Sequence, residues 1–162
     1  MTLSPTMSDS FARATELPSV GNSASFRLTR QGARPLAFSG TELAMAMSFT
    51  PGLPYWYEIT IYRTSDQRFV LAIRLFYVSE HERDTADGWV FATLPEVFDA
   101  LEAYDAGRDV VADLSTARAE MPAVELAARA LDLRARVAAA RHHFAGLVGE
   151  FFAELESGAE AA

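Results

Sequence analysis

Cysteine is absent from the 162 residues, which excludes disulfides, thiolate metal ligands and cysteine nucleophiles together. Lysine is absent too: all 14 basic residues are Arg, a bias that, with the Ala-rich C-terminal region, reflects GC-rich coding rather than a chemical requirement. No apolar run approaches the ~18 to 20 residues of a membrane span. The opening MTLSPTMSDSFARATELP lacks the charged start and continuous apolar stretch of a signal peptide, so a cytoplasmic location is expected. There is no Gly-rich phosphate loop, no nucleophile elbow and no internal repeat of 20 to 50 residues.

Histidine is scarce, and its placement argues against a metal. His142 and His143 are adjacent in a helical stretch, so their rings diverge by about 100° and cannot chelate one ion as an i, i+4 pair can. His81 stands between Glu80 and Glu82 in a polar loop. Carboxylates crowd residues 80–113, but pairs in loops and on outward helix faces are usually solvated. No cofactor, metal or catalytic residue is therefore expected.

What the chain does have is a folding composition: half of it is hydrophobic, enough for one domain with its own core. The net charge of −8 is unevenly spread. Residues 24–74 carry six Arg against Glu42, Glu58 and Asp66, whereas residues 80–120 carry eleven acids against Arg83, Arg108 and Arg118. Acidity overall disfavours a nonspecific nucleic-acid coat, because phosphate contacts dominate such binding, yet it allows a local basic face.

Residues 1–23, rich in Ser, Thr and Pro, read as a loose arm before a single domain over 24–162. Alternation at Phe26 and Leu28, and at Leu36 and Phe38, predicts half-buried strands about a turn at Gly32. Residues 41–49 fit a strand through Leu43, Met45, Met47 and Phe49, while their Glu, Leu, Ala and Met content also suits a helix. YWYEITIYRT at 55–64 and FVLAIRLFYVS at 69–79 are the clearest strands. The second is apolar on both faces, as a central strand covered on both sides would be. A loop to Gly88 and a strand at Trp89 to Ala92 complete the sheet region, 24–94.

Thr93-Leu94-Pro95-Glu96 has capping-box spacing, predicting a helix over 95–107 stopped by Gly107, with a short turn near Val110 to Leu114. A long helix follows over 122–156. The fold class expected is α+β: an antiparallel sheet of five or six strands, then a short and a long helix on one face.

The long helix carries two apolar seams. One runs Leu126, Ala130, Leu133, Val137, Ala140, Phe144, Leu147 and Phe151; the other, mostly small, runs Ala128, Leu131, Ala135, Ala138, His142, Ala145, Gly149 and Phe152. At ~1.5 Å per residue this helix is roughly 50 Å long, more than one small sheet covers. The expected function is accordingly a non-enzymatic interaction or adaptor module. It would homodimerise or dock a protein partner through Leu126, Leu133, Val137, Phe144, Leu147, Phe151 and Phe152.

A second reading uses the sheet. If Arg27, Trp56, Tyr62, Arg74 and Phe76 share the face opposite the helices, they make an Arg and aromatic platform for stacking single-stranded bases. The sheet-then-helix order over roughly 55–107 is similar in outline to the PUR and Whirly single-strand binders. That likeness implies a nucleic-acid binder or transcription regulator.

Overall fold

The computed structural model describes residues 23–112 and 121–160. Five strands form one antiparallel sheet in chain order: β1 (Ala24–Arg30), β2 (Ala33–Met47), β3 (Tyr55–Thr64), β4 (Phe69–Tyr77) and β5 (Thr85–Phe91). Helix α1 (Leu94–Ala103), a 3-10 turn (Ala106–Asp109) and the long helix α2 (Ala123–Glu160) follow. This is the expected α+β arrangement. Residues 41–47 are strand, not helix, because residues 42–47 pair with Glu58 to Tyr62 of β3 around a bulge between Glu42 and Ala44.

β2 serves two neighbours. Its first part pairs with β1 as far as Ala24 opposite Gly40, and its second part pairs with β3 from Gly40 opposite Thr64 onward. Glycine is required at this changeover: a Cβ on Gly40 would lie 2.2 Å from the Arg63 carbonyl oxygen. The sheet curls until the end of β1 reaches β5, where the Gln31 amide donates to the Ala86 carbonyl at 3.0 Å. Gly88 lies within β5 opposite Ala72, where a Cβ would press against Leu28 Cδ1 at 3.2 Å. β5 therefore begins at Thr85, earlier than the Trp89 start expected from sequence.

The curl divides the interior in two. On the helix side, Tyr57, Ile59 and Ile61 of β3 and Leu71, Ile73 and Leu75 of β4 pack against Val97, Leu101, Phe144, Leu147 and Phe151. On the other side, Leu28, Tyr62, Val70 and Ala72 pack beneath Phe26, Leu36 and Phe38. β4 is thus buried on both faces from Val70 to Ile73, which accounts for the apolar run that Arg74 interrupts.

At the start of α1, Glu96 Oε2 accepts from the Ala92 and Thr93 amides at 2.9 and 3.1 Å, as the capping-box spacing predicts. The helix ends at Ala103, short of the 107 expected. Gly107 sits inside the 3-10 turn, where a Cβ would come within 2.9 Å of Val137 Cγ1 and Arg141 Nε on α2. Gly107 is therefore there for close approach of the two elements rather than as a stop signal. A 3-10 turn occupies Ala106–Asp109; the turn expected near Val110 to Leu114 runs into residues 113–120, which lie outside the described residues, as do 1–22 of the expected arm.

Candidate interaction surfaces

The first seam of α2 is split in its use. Ala140, Phe144, Leu147 and Phe151 are buried on the chain's own sheet. Phe144 meets Tyr57 and Tyr104 edge-on or tilted at 5.2 and 4.8 Å. Phe152 is half-buried against Phe98 at 5.2 Å. The expectation that Phe144, Leu147, Phe151 and Phe152 form a partner interface is corrected accordingly: within one chain these side chains already have their apolar neighbours.

The N-terminal half is different. From Ala123 to Ala139 no residue is fully buried, and Leu133 and Val137 are half-buried. Val124, Leu126 and Leu131 stand 82%, 56% and 66% exposed. The second seam is open from Ala128 to Gly149, since Ala128, Ala135, Ala138, Ala145 and Gly149 are all exposed, and closes only at Phe152. A Cβ on Gly149 would meet nothing within 4 Å. The helix is exposed throughout from Ala123 to Asp132, about 15 Å at ~1.5 Å per residue, while Arg136, Val137 and Ala139 already lie over the end of the sheet and the 3-10 turn. The helix is fixed there by Arg141, whose guanidinium donates to both Asp105 carboxylate oxygens at 2.7 and 2.8 Å. This pairing holds the Asp105 carboxyl down to about 2.

The sheet face opposite the helices does not assemble the platform imagined from sequence. Trp56 lies opposite Phe76 in the register, and their rings stack at 5.3 Å, half-exposed, with Phe49 edge-on to Trp56 at 5.6 Å. Arg74 shares that face but is ion-paired to Glu58. Tyr62 is only 3% exposed, roofed by Phe26 at 4.7 Å and Phe38 at 5.2 Å. Arg27 alternates with the inward Phe26 and Leu28 and so emerges, exposed, on the other side of β1. Sequence alternation identified the shared face of β3 and β4 correctly. It could not reveal that the β1–β2 hairpin folds over one end of that face.

Beside the stack, Leu43, Met45, Met47 and Phe49 are exposed at spacing two. Glu42 sits among charges here: burial first and then Glu58 push its carboxyl up, while Arg74 opposes them.

A wedge opens where α2 lifts away from the end of the sheet, a feature sequence reading missed because its walls come from four separate segments. It is a cleft of ≈ 180 Å³ walled by Tyr55, Tyr57 and Tyr77 from the strands, Asp109 from the 3-10 turn, Arg136 from α2 and Glu82 from the β4–β5 loop. Asp109 already accepts from Tyr57 at 3.0 Å and from Tyr104 at 2.9 Å. Burial raises its carboxyl, with the two phenol hydrogen bonds pulling the other way. His143 flanks the wedge, edge-on to Tyr55 at 5.5 Å. Its Nε2 lies 3.1 Å from the Ser48 carbonyl, which can only accept, so this nitrogen carries a proton.

Among the described residues no group of three or more His, Asp or Glu is arranged to hold a metal ion, and no helix is long and apolar enough to cross a membrane. No family model, no curated protein and no solved structure matches the chain.

Proposed function

We propose that the chain is a non-enzymatic interaction module that self-associates through the exposed N-terminal stretch of α2. The observation that carries this reading is that exposure itself. A helix with Val124, Leu126 and Leu131 in water forgoes about 1.5 to 3 kcal/mol of burial at each, and its Ala-lined outer seam admits another helix at close range. A second copy is the simplest cover, because a two-fold axis brings identical seams together.

The test is solution mass by light scattering over a concentration series, for the full chain and for Leu126→Asp combined with Leu131→Asp. The native chain is expected at twice its 17.7 kDa and the variant at the monomer mass with an unchanged circular dichroism spectrum. A native chain that stays monomeric up to about 100 μM, weaker than most specific assemblies, ends the reading. The same samples, mixed at low salt with a short single-stranded oligonucleotide, address the nucleic-acid alternative through a mass shift that falls away as salt rises.

A further inference from the structure

The wedge beneath α2 places one cation, Arg136, beside two tyrosine hydroxyls. Three of its polar groups have no hydrogen-bond or ion-pair partner among the described residues: the Arg136 guanidinium, which can only donate, and the Tyr55 and Tyr77 hydroxyls, which can donate or accept. Arg136 lies near enough to both phenols to act on their ionisation. Burial nevertheless raises both Tyr55 and Tyr77, so each keeps its proton and remains a donor at neutral pH. Asp109 is occupied by the hydroxyls of Tyr57 and Tyr104, which leaves Glu82, exposed at the rim, as the one carboxylate not already engaged by those phenols.

Between these groups the walls are aromatic and aliphatic, with Pro54, Leu75 and Ala140 completing them. A volume of ≈ 180 Å³ falls below the roughly 300 to 1,000 Å³ of drug-sized sites. It admits a single ring or one side chain, and excludes a nucleotide.

We propose that this wedge binds a small carboxylate attached to one aromatic or branched apolar group, the carboxylate taken by Arg136 with the Tyr55 and Tyr77 hydroxyls and the apolar part lying between the tyrosine rings. A planar guanidinium is suited to this role because it offers a carboxylate two parallel donors at once. The proposal is independent of self-association: it concerns the sheet-facing side of α2 and needs only one chain.

The probes are benzoate, benzyl alcohol and benzylamine, which share a ring and differ in charge, titrated into the ¹⁵N-labelled full chain and followed by amide chemical shifts. Benzoate is expected to shift amides at Tyr55, Tyr77 and Arg136 with a dissociation constant on the order of 0.1 to 10 mM, in keeping with so few heavy atoms. Benzyl alcohol is expected to bind at least tenfold more weakly. Arg136→Gln, an exposed helix substitution that leaves the core untouched, should weaken benzoate about tenfold while leaving benzyl alcohol unchanged. Benzylamine binding in preference to benzoate overturns the proposal in favour of Glu82 setting the sign. Benzoate shifts that persist unaltered in Arg136→Gln, or that map elsewhere, also overturn it.

Discussion

The Tyr57 hydroxyl donates to the Asp109 carboxylate at 3.0 Å, tying the centre of the sheet to the turn from which the chain departs for α2. Tyr104, at the end of α1, donates to the same carboxylate. One acid thereby satisfies two largely buried phenols and joins β3, α1 and the 3-10 turn. Arg108 adds to the cluster, lying 5.4 Å over the Tyr104 ring and pairing with Asp87 of β5 at 2.9 Å.

Replacing Asp109 with Ala leaves Tyr104 without an acceptor and Tyr57 with only the Ala106 carbonyl at 3.5 Å. A stranded hydroxyl costs about 1 to 3 kcal/mol, so Asp109→Ala is expected to lower stability by about 2 to 4 kcal/mol in urea unfolding, with Asp109→Asn losing less because its amide oxygen still accepts. A loss below 0.5 kcal/mol would show that water replaces the carboxylate without penalty.

Alkaline pH acts on the same cluster. Burial, and then the Asp109 charge, raise Tyr57 and Tyr104 well above the ordinary phenol value near 10. The folded chain therefore holds protons that the unfolded chain releases above pH 10. Stability is full below that pH and falls as pH rises past it. Absorbance at 295 nm should show these two tyrosines ionising only as the circular dichroism signal is lost.

The glycines separate close approach from mere permissiveness. Gly107→Ala forces Val137 or Arg141 aside and is expected to cost about 1 to 3 kcal/mol. Gly149→Ala meets nothing and removes a flexible residue from a helix interior, for a gain of about 1 kcal/mol. Thermal unfolding of the two variants should move in opposite directions; a matching shift would mean that α2 does not lie on the 3-10 turn.

The two halves of the first seam should respond unequally. Phe144→Ala removes a ring from the main core and is expected to cost about 3 to 5 kcal/mol. Leu126→Ala, measured at a concentration where the chain is monomeric, should change stability by less than about 0.5 kcal/mol. Equal losses would mean that the exposed stretch is packed within the chain.

Much of the architecture was legible because single strands announce themselves. The alternation of Tyr57, Ile59 and Ile61 with Trp56, Glu58 and Thr60 gave the two faces of β3, and the double-sided apolarity of 69–79 marked β4 as covered on both sides. What escaped reading was long-range. No local pattern shows that Gly40 divides β2 between two partners, that Tyr62 is roofed by a hairpin thirty residues upstream, or that Phe144 and Leu126, identical in seam position, fall on opposite sides of the sheet's edge. Periodicity gives the face a residue occupies; it carries no information on where the opposing surface stops. The wedge was invisible for the same reason, since Tyr55, Tyr77, Asp109 and Arg136 share no sequence neighbourhood.

The changeover at Gly40 has a kinetic corollary. Because β1 and the first part of β2 contact the rest of the sheet mainly through the smaller interior around Leu28 and Tyr62, that hairpin can open while β3, β4 and the helix-side interior stay intact. Amide hydrogen exchange should then fall into two classes on one continuous strand. Residues before Gly40 would exchange through a local opening, and those after it only as fast as the strands they accompany. A single strand would belong to two cooperative units, with the boundary between them set by one missing side chain.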